Sequence, residues 1–349
     1  MGLITGIAPA WRIAANRADI TATVAERFLR MSITDAVGVE SDMLELVLSD
    51  TDPVRPVAIP PTGAELEAFL GYDGITSAMG LFVCDEVELA GWPGEMVIRA
   101  RAAVYDKSKG GKTHLQTQKN RSWPAGTKLG DMVKKIAEEH GMEAAVAASL
   151  AGIALPHTDQ ADESDLNLLL RLAKKYDAVV KPAGGKLVLA KRGESKSVSG
   201  VSLAPVNLHA SEVSSWRMVL SKRETAGMVV AYWHAVKQSR RNEVKVGSGE
   251  PVRRIKQYYP TEEMALAAAR AELARRERDQ ETISLTCTGA PWIAAECTLN
   301  LAGFRPGVDG AWLITRVVHR LTKGGGYECD IEAEKPNEEG TAEVEIVPN

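Results

Sequence analysis

The chain has 349 residues, 45% hydrophobic and 25% charged, an ordinary globular composition with length for two or three domains at roughly 150 residues each. The net charge of −4 and the pI near 6.0 argue against a protein that wraps nucleic acid or docks on an anionic membrane. No stretch approaches the ~18 consecutive apolar residues of a membrane span.

Met1 to Ala10 lacks the charged n-region and apolar h-region of a signal peptide, and Gly6 breaks the myristoylation pattern. The expectation is a chain made and kept, at least at first, in the cytoplasm. From Met1 to about Asp106 the pattern is one of short strands: Trp11–Ala15, Leu44–Leu48, Leu81–Leu89 and Met96–Tyr105. Turn chemistry is explicit at Asp35–Gly38, Asp50–Pro53, Tyr72–Gly74 and Gly91–Gly94. Short strands between regular turns predict a closed or nearly closed barrel, or a sandwich.

Ser122 to Arg192 reads differently. Leu129, Met132, Val133, Ile136, Ala137 and His140 recur at helical spacing, with Thr127 as N-cap and Gly141 just past the end. A second helix fits Asp165–Tyr176, capped by Ser164, with Leu166, Leu169, Leu170, Ala173 and Tyr176 inward. A hairpin follows, Ala178–Lys181 and Leu187–Ala190 about a Gly184-Gly185 turn. Lys191–Ser202 has linker composition.

Strand pattern returns at Trp216–Leu220 and Met228–His234. The basic stretch Lys237–Lys256, around Gly247–Gly249, reads as a solvated hairpin, because a nucleic-acid stripe would interleave aromatic residues. Pro260-Thr261 opens a helix whose small face is Ala265, Ala268, Ala269 and Leu273, with Arg275, Arg276 and Arg278 at its C-terminal end. Four last strands are predicted at Thr282–Thr288, Glu296–Leu301, Trp312–Leu321 and Tyr327–Ala333. The fold class is α+β, mainly β. Its parts are a β-rich segment at 1–110, an α/β module at 120–195, a β-rich segment with a packed helix (260–278) at 200–335, and a disordered acidic tail at 336–349. Trp11-Arg12 and Trp216-Arg217 give a faint hint of duplication between the β-rich segments.

No chemistry stands out. Cys84, Cys287, Cys297 and Cys329 are scattered, as buried small hydrophobes are, and are expected to be reduced and unpaired. A zinc set of Cys287, Cys297, Cys329 and His319 has the wrong local spacing. Gly111-Lys112-Thr113 resembles the end of a phosphate loop, but Asp106 stands where its first glycine belongs and no helical face follows. His140, His157, His209, His234 and His319 lack any catalytic or metal-like neighbour pattern, and Asp85 and Glu86 read as strand-edge charges. No catalytic, cofactor or metal residue is assigned, and an enzyme is not expected.

The order of segments resembles the late-control D family of contractile-tail proteins, the baseplate hub of myophages and R-type pyocins. The matching residues are Pro9-Ala-Trp11 with Asp19–Thr21, Ser41-Asp42 with Leu46–Asp50, and Trp123–Thr127 with Leu129–Asp131. They continue with Ser164-Asp165, Leu169–Tyr176 and Lys186–Val188, then Tyr259-Pro260 with Ala267–Arg275, and Gly303–Pro306, Asp309–Trp312, Thr315-Arg316, His319 and Gly326-Tyr327. The resemblance implies two tail-tube-like β-barrels with an inserted small α/β module. It also implies a homotrimer that joins the hexameric tail tube to the trimeric central spike. Implied partners are the spike, tube, tape-measure and baseplate wedge proteins, with DNA passing through unbound and no membrane insertion. The implied location is the virion tail baseplate, after assembly in the host cytoplasm. The rival reading is a tail-associated protein that binds or degrades peptidoglycan, since Gly126–Asp131 before a helix is similar to a LysM repeat.

Overall fold

The computed structural model describes residues 7–38, 42–102, 114–183, 185–193, 203–221, 227–234, 242–278, 281–336 and 344–347. The phosphate-loop-like Gly111–Thr113, most of the linker, and Arg240 and Arg241 lie outside them.

The first segment contains β1 (Pro9–Ala15), β2 (Ala18–Asp19), α1 (Thr21–Ala25), β3 (Phe28–Ala36), β4 (Met43–Ser49), β5 (Glu65–Tyr72), β6 (Ile75–Ala90) and β7 (Glu95–Ala102). Its strands pair in the order β3-β4-β7-β6-β5-β1. Alternation explains the curl: Leu44, Leu46 and Leu48 of β4 and Leu66, Ala68 and Leu70 of β5 all face one interior. The two ends of this path meet through Trp11 of β1, stacked on Phe28 of β3 with ring centroids 4.4 Å apart.

The middle module contains β8 (Gln118–Trp123), α2 (Leu129–Glu139), β9 (Glu143–Val146), α3 (Ala148–Ala151), β10 (Thr158–Ser164), α4 (Asp165–Lys175), β11 (Ala178–Ala183) and β12 (Lys186–Lys191). It has a core of its own, in which Leu129, Met132, Val133 and Ile136 of α2 meet Leu168, Leu169 and Leu172 of α4 over Val180, Leu187 and Leu189. Gly141 takes φ +69° just past α2, as its sequence position predicts. Ser164 caps α4 by accepting from the Asn167 N–H at 3.2 Å. Two details differ from expectation. Thr127 does not cap α2, because its hydroxyl donates to the Pro124 carbonyl at 2.7 Å and Lys128 takes the N-cap position. The buried stripe of α4 runs through Leu168 and Leu172, with Leu166 and Leu170 only partly buried. That rotation follows from Asp165, whose carboxylate is fully buried among partners at the start of the helix.

The last segment contains β13 (Val206–His209), β14 (Val213–Leu220), β15 (Met228–Trp233), β16 (Asn242–Gly247), β17 (Val252–Tyr259), α5 (Glu262–Arg278), β18 (Glu281–Thr288), β19 (Thr298–Ala302), β20 (Gly310–Thr322), β21 (Gly326–Glu334) and β22 (Val344–Val347). Six of its strands form a second curled sheet, β14-β18-β21-β20 with β19 attached to β20 and β13 to β19. Here Trp216 of β14 meets Phe304, just beyond β19, edge to face at 5.7 Å. Both Trp-Arg pairs therefore lie on strands at or next to the end of a sheet path, and each tryptophan meets a phenylalanine.

The two barrels are not separate beads. The long strand β20 pairs with β19 through its first residues and with β3 from Arg316 to Thr322, so one sheet of 13 strands runs through both. Their interiors merge in one apolar cluster that includes Met31, Ile33, Val317 and Leu321. The mainly β, α+β class read from the sequence is what the structure shows.

Three placements differ from the sequence reading. Helix α5 packs on a four-stranded sheet of order β17-β15-β16-β22, inserted between β14 and β18, not on the large sheet. Its small face, Ala265, Ala268, Ala269 and Leu273, covers Val229, Ala231, Val244 and Val246. The basic stretch is not a hairpin, since β16 and β17 do not pair but flank β15, one antiparallel and one parallel. Gly227 permits this: the connection at 248–250 crosses the start of β15 so closely that a Cβ on Gly227 would lie 2.8 Å from Gly249 C and Ser248 O. Lastly, the expected disorder of 336–349 fails at Val344–Val347, which pair with β16. The physical reason is an otherwise open strand edge and a matching short alternation, Val-Glu-Ile-Val. Residues 337–343 lie outside the described residues.

Leu169 is 1% exposed in the middle core. Leu169→Ala should lower unfolding free energy by roughly 2–5 kcal/mol, read by chemical denaturation; a silent substitution would mean that α4 is wrongly phased.

Candidate functional site

The four candidate zinc ligands do not converge. Cys287 and Cys329 face each other across β18 and β21, and His319 Nδ1 lies 3.2 Å from Cys329 Sγ. Among the described residues, however, the set of Cys287, Cys297, Cys329 and His319 forms no metal-sized cluster. His319 Nδ1 is also 2.7 Å from the Tyr327 hydroxyl, and Nε2 is 3.0 Å from the Ile293 carbonyl. Burial pushes its pKa down to about 4, against the Ile293 hydrogen bond and the Asp35 charge, so it is neutral at physiological pH. Burial likewise pushes Cys287 up to about 12 and Cys329 up to about 11, so both stay thiols. All four cysteines are buried and unpaired.

The other histidines have local partners. His157 meets Asp159 at 3.1 Å, His209 Nδ1 accepts from the Ser211 N–H, and His234 stacks on Tyr258. Asp85 pairs with Arg101, and Glu86 shares Arg99 with Glu45 and Glu88.

Glu139, His140 and Asp165 do lie within metal-ligand reach of one another. Their oxygens are already taken. Asp165 accepts from Lys119 Nζ and Arg121 Nη2 at 2.6 Å and from Gln160 Nε2 at 2.8 Å, while His140 Nε2 lies 2.7 Å away. Lys119 and Arg121 also bind Glu139. Burial would raise the Asp165 pKa, but hydrogen bonds from Lys119, His140 and Gln160 and the Arg121 charge outweigh it and hold it at about 2. Two cations already on the carboxylates leave a metal ion both repelled and without free lone pairs. This cluster ties β8, α2, β10 and α4 together.

A pair of ionic junctions links the bodies of the molecule. At the first, Lys181 of β11 sets its ammonium 2.7 Å from both Asp35, at the end of β3, and Asp42, just before β4. Asp35 also accepts from the Ala295 N–H at 2.9 Å. Burial and the Asp35 charge push Asp42 up to about 6, with Lys181 opposing. For Asp35 burial is outweighed by the Lys181 charge and hydrogen bonds, and its pKa is lowered.

At the second junction, Arg278, the last residue of α5, donates to both oxygens of Asp177, and its Nε lies 3.2 Å from Glu334 at the end of β21. Arg192, just after β12, donates to the same Glu334 at 3.0 and 3.1 Å. One guanidinium thus touches the middle module, the α5 layer and the large sheet. Both Arg278 and Glu334 are 4% exposed. The sequence reading gave none of these residues a junction role, taking Arg278 as a charge at a helix end, Asp35 as a turn residue and Lys181 as the end of a hairpin strand. The signals in the sequence were Glu334 ending the alternation of Tyr327, Cys329, Ile331 and Ala333, and an aspartate, Asp177, between a helix and a strand; in the structure Asp177 takes φ +49°.

These are positioning groups with no nucleophile and base aligned at them. The comparisons fit that geometry. The profile of the phage tail baseplate hub (GPD) family matches residues 111–325, more than half of the chain. The chain belongs to the phage tail baseplate hub family. Its hub relatives include the "Probable baseplate hub protein" of Escherichia phage P2, 29% identical over 371 residues that cover 94% of this chain and 93% of the relative. Solved structures share the hub fold. The prophage MuSo2 tail protein of Shewanella oneidensis aligns with TM-score 0.69 at 15% identity, over 93% of this chain and 98% of its own. A Neisseria meningitidis tail protein aligns with TM-score 0.68 at 12% identity, over 94% and 96%. This hub is a structural component of the virion tail baseplate.

Two predictions follow from the charges. The folded pKa of Asp42 is raised from 3.8 to about 6, so stability present at low pH is lost as pH rises through 6. Asp42→Asn should therefore raise stability at pH 8 and flatten its change between pH 4 and 6, measured by denaturant titration. Asp165 has the opposite sign: its contribution is complete above the ordinary 3.8 and is lost as pH falls toward 2. Asp165→Ala should cost about 3–5 kcal/mol at neutral pH by the same measurement, because among the described residues Lys119 and Arg121 keep only Glu139 as an ion-pair partner and buried Gln160 loses an acceptor.

Proposed function

We propose that this hub acts as a homotrimer joining the hexameric tube of a contractile tail to the trimeric central spike, with no catalytic activity, metal or cofactor. The observation that carries the reading is the doubled β-barrel. One chain offers two barrels fused through β3 and β20, each with a tryptophan that meets a phenylalanine. Three chains then present six near-equivalent surfaces to a sixfold tube, while the middle module and the α5 layer, one of each per chain, suit a threefold partner. A closed ring uses heterologous contacts, one surface of each chain meeting a different surface of the next. Strand β14 supports this: among the described residues it pairs with β18 alone, and it exposes Trp216, Val219 and Leu220.

The spike, tube, tape-measure and wedge proteins are the partners of this arrangement, and DNA passes through the ring without specific binding. A bore that passes DNA avoids basic lining, because counterion release would hold phosphates there. Arg253 and Arg254, exposed on β17, accordingly face outward or an interface.

Imaging of the assembled particle tests this. Three copies per ring with Arg253 away from the bore is expected; six copies, or Arg253 lining the bore, would overturn it. Purified hub should also leave a peptidoglycan zymogram uncleared, and clearing would favour the wall-degrading alternative.

A further inference from the structure

The four-stranded sheet beneath α5 has two ends that differ in kind. One end strand, β17, exposes Arg253, Arg254 and Lys256, and such charges discourage another strand from pairing there. The other side is different. Strand β16 presents Val244 and Val246, both fully buried against α5, with Lys245 between them. Among the described residues that edge is filled by four, β22, in the register Val246↔Val344, Lys245↔Glu345, Val244↔Ile346 and Glu243↔Val347.

The register matches chemistry to chemistry. Apolar residues lie opposite the two core valines, and a glutamate lies opposite the lysine, a favourable cross-strand pair. Such a match is what a strand-accepting edge uses: main-chain hydrogen bonds for affinity and alternate side chains for selectivity. Nine residues, Lys335–Glu343, tether β22 to the end of β21. Fully extended at about 3.5 Å each, they reach on the order of 30 Å, enough for the chain's own sheet or that of a touching neighbour. A neighbouring copy carries the identical strand, so exchange requires no new complementarity.

We propose that the β16 edge is a strand-docking site that takes the C-terminal strand of a second copy in exchange for the chain's own. In this arrangement β22 is the internal placeholder of an intermolecular site. The β17 edge, guarded by its arginines, takes no part.

The test uses the full chain with its edge emptied by Val344→Pro and Ile346→Pro, which remove strand N–H donors. The probe is a synthetic peptide of residues 341–349. Provided its melting curve shows it folded, this variant should bind the peptide one to one. A peptide carrying Glu345→Lys should bind at least tenfold more weakly, and Lys245→Glu in the protein should restore it. A second measurement leaves the strand intact: full chains bearing Lys245→Cys are mixed with full chains bearing Glu345→Cys under mild oxidation. Disulfide-linked pairs of chains are expected. A folded emptied variant that ignores the peptide overturns the proposal. So does a mixture that yields no interchain link under conditions where the doubly substituted chain links within itself.

Discussion

Everything in this molecule hangs on the ladder between β3 and β20, seven residue pairs joining strands nearly 300 positions apart in sequence. Without it there would be two half-independent barrels; with it there is one sheet and one merged core. Such a contact has a high loop-closure cost, and it is recovered only when both strands bury their inner faces. Met31, Ile33, Val317 and Leu321, all 4% exposed or less, are the residues that supply this. The ladder also dictates where insertions can go. The middle module must leave after β7 and return before β13, and the α5 layer must leave after β14 and return at β18, so neither interrupts the joined strands.

That geometry accounts for the character of the junctions. Three cores that form separately meet along charged surfaces, because each body has already used its apolar face on itself. Buried ion pairs give little net stability once desolvation is counted, but an incorrect docking would leave Arg278 or Lys181 buried without partners, at a cost of several kcal/mol. The junctions therefore act on orientation more than on stability. The ring proposed above, which holds appendages at fixed angles, would need this property. Asp42 shows the tension: two carboxylates share one lysine, so the second is held well above its ordinary pKa.

Legibility in the sequence followed periodicity. The helices α2 and α4 and the β11–β12 hairpin could be read because apolar spacing agrees with the local end signals, Gly141 just past α2 and Ser164 capping α4. The separate α5 layer could not. Val229, Ala231, Val244 and Val246 alternate as well as any barrel strand does, and alternation says which face is buried, never against what. The wedging of β15 between β16 and β17 was hidden for a related reason, since two strands about a Gly-rich turn read as a hairpin unless the close passage at Gly227 is known. The junction charges were the least visible. Asp177 and Arg278 lie at the ends of elements and Lys181 on a strand position between apolar neighbours, where a charge is ordinarily solvated, and only tertiary structure gives them their partners.

The two barrels are alike in how they close and unlike in what they carry. In each, a tryptophan on a strand at or next to the end of a sheet path meets a phenylalanine. Only the second barrel opens, between β14 and β18, to admit a further layer. Its end strand β14 is also left with Trp216 44% exposed, whereas Trp11 packs as a partly buried member of the core. Selection for identical barrels would have buried both tryptophans alike. One barrel that covers its tryptophan and one that keeps an apolar strand uncovered leave the two surfaces unequal, and inequality of that kind is what the directional contacts of the proposed ring would require.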